Sequence, residues 1–300
     1  MRYVEPVYRP PSEAMSLLIQ ATVGCSAASA GHCYFCGSWL FAKTMPEKKF
    51  RIRPQEEILE DLRAARDYYG DHIRKLFFLD SNALAMKTDR LAEITREAYC
   101  FFDGLERVSV YACATDILRK SRAELEGLKA AGLKLLYLGL ESGNDKVLAL
   151  HNKGVDAAKT IEACNHAQEA GLDLSVTVIL GLGGLELSAE HAADTGHVLS
   201  QISPAYMGAL TLMVVPGTPV QEWIDNGTFE IPDQAGILDE LEIMIGKIEV
   251  EQEMVFRTNH ASNYLPLKGI FPQDKGRMLE LIGRARSGRI ALRSEEMRGL

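Results

Sequence analysis

The sequence predicts an α/β protein whose parallel strands are covered by helices. Short, nearly all-apolar runs alternate with amphipathic segments rich in Ala and Leu, and this alternation occurs six times. Apolar runs without polar alternation are typical of strands that are buried on both faces, as in parallel sheets. Six strand–helix units are fewer than the eight of a complete barrel. From the pattern alone, a partial barrel and a sheet wound on both faces both stay open.

The predicted strands are rich in leucine, β-branched and aromatic residues. In chain order they are Leu17–Val23, Lys75–Asp80, Arg107–Ala112, Leu135–Leu140, Leu174–Leu180 and Met207–Val215. Helices are predicted between them, at Gln55–Tyr69, from Thr88 onward, and at Ser121–Ala131, Asp156–Ala170 and Ser188–Ile202. Pro54 fits the start of its helix, and Gly132 and Gly171 fit left-handed helix ends.

We expect three parts in the chain: an N-terminal segment (1–16), a core (17–220) and a C-terminal extension (221–300). The run Pro216-Gly217-Thr218-Pro219 ends the sixth strand and precedes the extension. The extension is expected to cover the mouth of the barrel that a closing sheet would form, with a helix at Gln234–Ile248, a strand at Met254–Arg257 and a helix near Asp274–Arg286. Its polar segment Asn259–Tyr264 either contacts a substrate or bonds its own backbone.

The composition is that of an ordinary globular protein, with 47% hydrophobic and 25% charged residues among 300. The net charge of −8 argues against non-specific binding of nucleic acid. No run approaches the roughly 18 apolar residues of a membrane helix, and the first residues lack a signal-peptide core. We therefore predict a cytoplasmic protein without a membrane partner.

Three of the six cysteines lie within one short loop. Cys25, Cys33 and Cys36 follow the first predicted strand, at the end of the sheet where α/β proteins carry their chemistry. Clustered thiols without signs of secretion indicate metal binding or redox chemistry rather than disulfides. A structural zinc ion would need a fourth ligand such as His32. An iron–sulfur cluster on three cysteines would leave one iron open to another ligand.

This loop resembles that of the radical S-adenosylmethionine (SAM) superfamily. The resemblance rests on Cys25-x7-Cys33-x2-Cys36 after the first strand, with the aromatic Phe35 before the last cysteine, and it extends from 17 to 215. The commonest spacing in the superfamily has four fewer residues between the first two cysteines. More narrowly, the chain resembles single-cluster members of the oxygen-independent coproporphyrinogen oxidase and methylthiotransferase-like (Elongator-type) branch.

The resemblance implies a partial (β/α)6 parallel barrel of the TIM type with a C-terminal extension. It also implies a 4Fe-4S cluster on Cys25, Cys33 and Cys36, with SAM on the fourth iron. Reductive cleavage of SAM would give methionine and a 5′-deoxyadenosyl radical that abstracts hydrogen from a substrate. A flavodoxin- or ferredoxin-type protein is the expected electron donor.

Further residues are assigned to SAM by the same resemblance. Ser81 and Asn82 stand where many members have a glycine pair that holds the SAM amino group. Glu141 matches the ligand of the SAM ribose, and Ser142 beside it is assigned to cofactor binding with it. Lys153 matches the partner of the SAM carboxylate. The turn that contains Gly181 and Gly183 matches the support of the adenine, with Phe35 on its other side.

The other three cysteines are expected to have different roles. Cys113 ends the third predicted strand, where it is either a catalytic hydrogen donor or substrate contact, or a packed strand-end residue. Cys100 and Cys164 are predicted to be small buried hydrophobic residues within helices.

The sequence thus predicts a radical SAM enzyme that acts on a small molecule or a tetrapyrrole, with nucleic acid disfavoured as a partner. The alternative is a non-enzymatic scaffold or carrier that holds structural zinc or a cluster. A protein of this fold that binds SAM or haem without turnover is a further form of that alternative.

Overall fold

The structure, a computed structural model, describes residues 1–299. Its strands are β1 (Leu17–Gln20), β2 (Thr22–Val23), β3 (Arg51–Ile52), β4 (Lys75–Leu79), β5 (Arg107–Ala112), β6 (Leu133–Glu141), β7 (Asp173–Leu180), β8 (Tyr206–Thr211), β9 (Met254–Arg257) and β10 (Lys268–Phe271). Within these residues no helix is both long enough and apolar enough to span a membrane.

The α-helices alternate with the strands through most of the chain. They are α1 (Ser26–Ser29), α2 (Gly37–Thr44), α3 (Gln55–Tyr69), α4 (Thr88–Phe101), α5 (Ala114–Leu118), α6 (Arg122–Ala130), α7 (Asp145–Leu150), α8 (Ala157–Glu169), α9 (Ser188–Ile202), α10 (Pro219–Asp225), α11 (Gln234–Lys247) and α12 (Lys275–Arg286). The chain divides into two compact units, 1–138 with 162–174, and 139–161 with 175–300.

The first unit is built on parallel strands. β1, β4, β5 and β6 lie side by side in this order, while β2 and β3 form a separate antiparallel pair. One face of the strands carries the aromatic rings of Phe77, Tyr111 and Tyr137, which meet edge to face at 5.0 to 6.0 Å between ring centres. Because β1, β4 and β5 are parallel, the segments that follow them lie at one edge of this unit. β2 and then the cysteine loop follow β1 there.

The N-terminal segment supplies a buried acid to the same face. Glu13 is fully buried, and its carboxylate accepts hydrogen bonds from Tyr137 (2.6 Å), Ser109 (2.9 Å) and Arg107 (2.6 Å). The Arg107 guanidinium provides the opposite charge that a buried carboxylate needs. Glu13 is therefore part of the core of this unit, whereas most of the residues before it are exposed.

The second unit also contains parallel strands. β7, β8 and β9 are parallel neighbours, and β10 pairs antiparallel with β9. α9 and α11 pack closely, since a Cβ on Gly196 would lie 2.7 Å from the carbonyl oxygen of Met244. The segment that includes Asn263 bonds mainly within this unit, because the Asn263 amide donates to the carbonyls of Ala209 (2.8 Å) and Thr258 (3.0 Å).

The predicted α/β class with parallel strands is confirmed, and several element bounds are corrected. The first predicted strand breaks at Ala21, because the Ala21 N–H bonds Leu79 while its carbonyl bonds Arg53. The sixth ends at Thr211 instead of Val215, since its partner β7 ends at Leu180. β10 was not predicted. The division into parts at 16/17 and 220/221 stays a prediction.

Candidate active site

The cysteine loop begins directly after β2. Gly24 has a φ of +68°, Cys25 precedes α1, Cys33 has a φ of +66°, and Cys36 precedes α2. All three cysteines are half-buried. The positive φ of Cys33 is unusual for a residue with a side chain, and such conformations concentrate at functional sites.

Local hydrogen bonds fix the second half of this loop. The Cys36 N–H donates to the Cys33 carbonyl at 3.0 Å, and the Trp39 N–H donates to the Cys36 carbonyl at 3.0 Å. Cys36 is the N-cap residue of α2. Phe35 is buried beside it.

The donor set of the loop fits an iron–sulfur cluster. Within residues 1–299 no group of three or more His, Cys, Asp or Glu side chains is arranged to hold one metal ion. A 4Fe-4S cluster has a different requirement, because each cysteine ligates its own iron atom. Three half-buried thiols on one loop, which includes the small residues Ser26–Ser29, meet that requirement and leave one iron for another ligand.

Asn82 connects the end of β4 to the cysteine loop. Its side chain is fully buried, and the amide nitrogen donates to Ser26 Oγ at 2.6 Å and to the carboxylate of Asp116. Because that carboxylate only accepts, the amide nitrogen must face it. Asn82 Oδ1 is buried and has no hydrogen-bond partner within residues 1–299. This acceptor fits the ammonium group of SAM.

Ser81 and Cys113 lie at the same edge of the first unit. The Ser81 hydroxyl donates to Asp80 Oδ1 at 2.9 Å. Cys113 follows β5, is half-buried, and precedes α5. Its role as a catalytic residue stays a prediction. Cys164 is buried, as predicted. The prediction that Cys100 is buried is wrong, because Cys100 lies on the solvent-exposed side of α4.

Glu141 and Lys153 form an ion pair in the second unit. The Lys153 ammonium lies 3.0 Å from Glu141 Oε1, and both side chains are largely buried. Glu141 ends β6 with a φ of +65°. A Cβ on Gly139 would lie 1.9 Å from Glu141 Oε1, so glycine there leaves room for the carboxylate. The two residues assigned to the ribose and carboxylate of SAM are thus brought together across α7.

Ser142 bonds a buried histidine. Its hydroxyl lies 2.7 Å from His191 Nδ1, while His191 Nε2 lies 3.0 Å from the Ile179 carbonyl. Since a carbonyl only accepts, Nε2 carries the proton and the Ser142 hydroxyl donates to Nδ1. Burial lowers the pKa of His191 to about 4, so the ring is neutral at pH 7. These bonds connect the ends of β6 and β7.

The glycine turn after β7 is held by the C-terminal extension. Gly181 N–H donates to Glu240 Oε2 at 2.6 Å, and the Ser188 hydroxyl donates to Glu240 Oε1 at 2.7 Å. Cβ atoms on Gly181 and Gly184 would meet Ile237 at 3.1 Å and Phe229 at 2.8 Å. Close packing against the extension is therefore one physical reason for glycine in this turn. Burial raises the pKa of Glu240 to about 7.

A family model of the Radical SAM superfamily matches residues 19–195, which is more than half of the chain. The chain belongs to the Radical SAM superfamily. The predicted superfamily is thereby confirmed, and with it an enzyme family whose cofactors are a 4Fe-4S cluster and SAM.

Among sequence relatives of this radical SAM protein is a tRNA-2-methylthio-N(6)-dimethylallyladenosine synthase of Hahella chejuensis. It is 23% identical over 291 residues, which cover 94% of this chain and 60% of the relative. Among solved structures, methylornithine synthase has a TM-score of 0.53 at 17% identity and covers 78% of this chain and 63% of its own. Coproporphyrinogen III oxidase from Escherichia coli has a TM-score of 0.53 at 17% identity, and the match covers 77% of this chain and 51% of the oxidase chain. These similarities confirm the predicted barrel-type fold.

Sequence reasoning missed two buried acids of this radical SAM protein. Asp80 pairs with Lys48 beside the cysteine loop, and Glu240 holds the glycine turn from α11. Glu240 had one available signal, since it lies at helical spacing from Ile237 and Met244 on the apolar face of α11. Asp80 ends a predicted strand beside Ser81 and offered no comparable signal.

Proposed function

We propose that this protein is a radical SAM enzyme that abstracts hydrogen from a small molecule or a tetrapyrrole. The observation that carries the proposal is the loop with Cys25, Cys33 and Cys36 at the strand-end edge of a chain that matches the Radical SAM superfamily. When bound, the cluster and SAM supply a reductive cleavage that yields a 5′-deoxyadenosyl radical. The chain's own residues bind these groups, orient them and exclude water.

In the first unit we assign the cluster to Cys25, Cys33 and Cys36. Cys36 is at the start of α2, and buried Phe35 beside it keeps water from this side of the loop. Asn82 Oδ1 accepts from the SAM ammonium, and Ser81 provides a second polar contact at the same turn.

In the second unit we assign the SAM ribose to Glu141 and the SAM carboxylate to Lys153. Carboxylates accept from paired hydroxyls, and a cation neutralises a carboxylate. Ser142 acts through His191 by fixing the strand end that carries Glu141. Gly181 and Gly183 form the turn assigned to the adenine.

A small substrate fits the charge of the chain better than a tRNA does. One relative is named as a synthase of a modified tRNA nucleoside. This chain covers only 60% of that relative's length, at 23% identity. A net charge of −8 opposes binding to a polyanion. The tetrapyrrole class, a flavodoxin- or ferredoxin-type donor and a cytoplasmic location stay predictions.

Metal and sulfide analysis after anaerobic reconstitution tests the cluster assignment. We expect about four irons and about four sulfides per chain in the wild type. A variant with Ala at Cys25, Cys33 and Cys36 is expected to lose both iron and sulfide. A variant with Ala at the exposed Cys100 is the control and keeps the full content. About one zinc without sulfide would instead support the scaffold alternative.

A further inference from the structure

A buried ion pair lies directly behind the cysteine loop. Lys48 Nζ is 2.7 Å from Asp80 Oδ2, and the two side chains are only 4% and 1% exposed. The same ammonium donates to the carbonyls of Val4 at 3.1 Å and Pro6 at 2.7 Å. An ammonium has three hydrogens, so all of them are used. Residues 1–8, called the N-terminal strap below, thus supply two of the three acceptors of Lys48.

The Asp80 carboxylate reaches both parts of the proposed cofactor site in this unit. Oδ2 also accepts from the Gly24 N–H at 3.2 Å, and Gly24 directly precedes Cys25. Oδ1 accepts from the Ser81 hydroxyl at 2.9 Å, and Ser81 directly precedes Asn82. One buried carboxylate therefore holds the residue before the first cysteine and the turn after β4.

The backbone of Lys48 also contacts Gly24. A Cβ on Gly24 would lie 2.0 Å from the Lys48 carbonyl oxygen, so the two chain segments approach too closely for any residue other than glycine. The strap also reaches α2, since the ring of Tyr8 is stacked on Phe41 at 6.2 Å and 14° between planes. The strap, Lys48 and Asp80 hold the loop from behind.

We propose that the Lys48–Asp80 pair, held by the N-terminal strap, is a positioning pair that sets Cys25 and the Ser81–Asn82 turn for the cluster and SAM. Groups behind the ligands of a metal orient those ligands, and their loss weakens metal binding about 10- to 100-fold. The inference rests on the proposed function, because it concerns the cluster assigned to Cys25.

The test compares two buried ion pairs of the same unit. The double variant Lys48→Met with Asp80→Asn removes both charges and keeps the side-chain volumes. The control, Arg53→Met with Asp61→Asn, removes a second buried pair whose atoms are 2.9 Å apart. This pair bonds the Gln20 carbonyl and the Met1 amine, so the control also removes a strap contact but leaves the bonds from Asp80 to Gly24 and Ser81 in place. Reconstituted proteins are exposed to an iron chelator, and cluster loss and the change in the EPR signal of the reduced cluster on addition of SAM are recorded.

We expect cluster loss at least about tenfold faster in the Lys48/Asp80 variant than in the Arg53/Asp61 control, with a smaller or altered response of the EPR signal to SAM. The single variant Lys48→Arg, in which Asp80 is unchanged, keeps the cation. It is expected to retain the cluster nearly as well as the wild type. Equal rates and equal EPR responses in the two double variants overturn the inference.

Two further outcomes are separated by the same samples. If the Lys48/Asp80 variant is unfolded by circular dichroism, Asp80→Glu decides the question, because it keeps the charge opposite Lys48 but shifts the carboxylate by one methylene relative to Gly24 and Ser81. Cluster retention and an EPR response equal to those of the wild type in this variant overturn the inference. Wild-type protein that binds no 4Fe-4S cluster contradicts the proposed function, whereas a wild-type cluster with unchanged retention in the variants contradicts only the positioning role.

Discussion

Gly24 and Gly31 both have left-handed backbone conformations in the cysteine loop, with φ of +68° and +91°, but their surroundings differ. A Cβ on Gly24 would lie 2.0 Å from the Lys48 carbonyl oxygen, whereas a Cβ on Gly31 would meet no atom within 4 Å. The two positions therefore separate backbone strain from steric conflict.

We predict that Gly31→Ala lowers the free energy of unfolding by about 1 kcal/mol, the cost of left-handed backbone for a residue with a Cβ. Gly24→Ala is expected to cost about 3 kcal/mol or more, because the loop must also move away from Lys48. Chemical denaturation of the two variants measures the difference. Equal losses would show that Gly24 is not held against Lys48.

Glu240 and His191 are buried titratable groups with opposite shifts. Burial raises the pKa of Glu240 from 4.5 to about 7 and lowers that of His191 from 6.5 to about 4. For Glu240, the stabilising contribution is complete below pH 4.5 and is lost as the pH rises to about 7. For His191, the contribution is complete above pH 6.5 and is lost as the pH falls to about 4.

We predict that Glu240→Gln becomes more stable relative to wild type as the pH rises from 5 to 8. The glutamine keeps an acceptor for Gly181 but cannot ionise, so the variant escapes a loss of about 3 kcal/mol. His191 is present in both proteins, so its effect cancels to first order in the difference. Urea denaturation at the two pH values measures the difference, and a pH-independent difference would contradict the raised pKa of Glu240.

At the scale of elements, helices with a strong hydrophobic periodicity and clear start and stop residues were predicted from the sequence. Gln55–Tyr69 and Ser188–Ile202 were predicted with the bounds that the structure shows. β10 was missed because Lys268–Phe271 is short and becomes a strand only by pairing with β9. The break at Ala21 was missed for a related reason, since it depends on a change of partner strand that local sequence does not record.

α7 is the element that sets the distance between Glu141 and Lys153. Its N-cap is Asn144, whose side chain accepts from the N–H groups of Lys146 (3.0 Å) and Val147 (3.1 Å) and donates to Asp194 at 2.6 Å. The cap thus fixes the short helix within its unit.

We predict that Asn144→Ala costs about 1 kcal/mol of stability and weakens the binding of SAM about fivefold. Ser121→Ala removes the cap of α6 and is the matched control. It is expected to cost a similar amount of stability and to leave SAM affinity unchanged. Equilibrium dialysis with SAM measures the affinities, and equal affinities in the two variants would show that α7 does not position Glu141 and Lys153.

At the scale of the whole molecule, sequence reasoning located what lies on short motifs and missed what is made by distant segments. The three cysteines lie within twelve residues of one loop, and Glu141 and Lys153 are twelve residues apart across one helix. By contrast, Glu240 reaches Gly181 from 59 residues away, and Lys48 reaches Asp80 across 32. Contacts of that kind depend on the assembled fold, which local patterns do not specify.

The net charge of −8 predicts a weak interaction with tRNA. We expect filter binding at 0.15 M salt to give a Kd no tighter than about 10⁻⁴ M, the weak limit of non-specific binding. An unrelated protein with the same net negative charge per residue is the control. Micromolar binding with a steep salt dependence would contradict a small-molecule substrate.

Cleavage of SAM by the reconstituted, chemically reduced protein tests the central claim most directly. The protein is incubated anaerobically with dithionite and SAM, and 5′-deoxyadenosine and methionine are quantified by mass spectrometry. We predict that wild-type protein forms both products, and that the variant with Ala at Cys25, Cys33 and Cys36 forms neither. Absence of 5′-deoxyadenosine from protein that carries its full complement of iron and sulfide would contradict the claim.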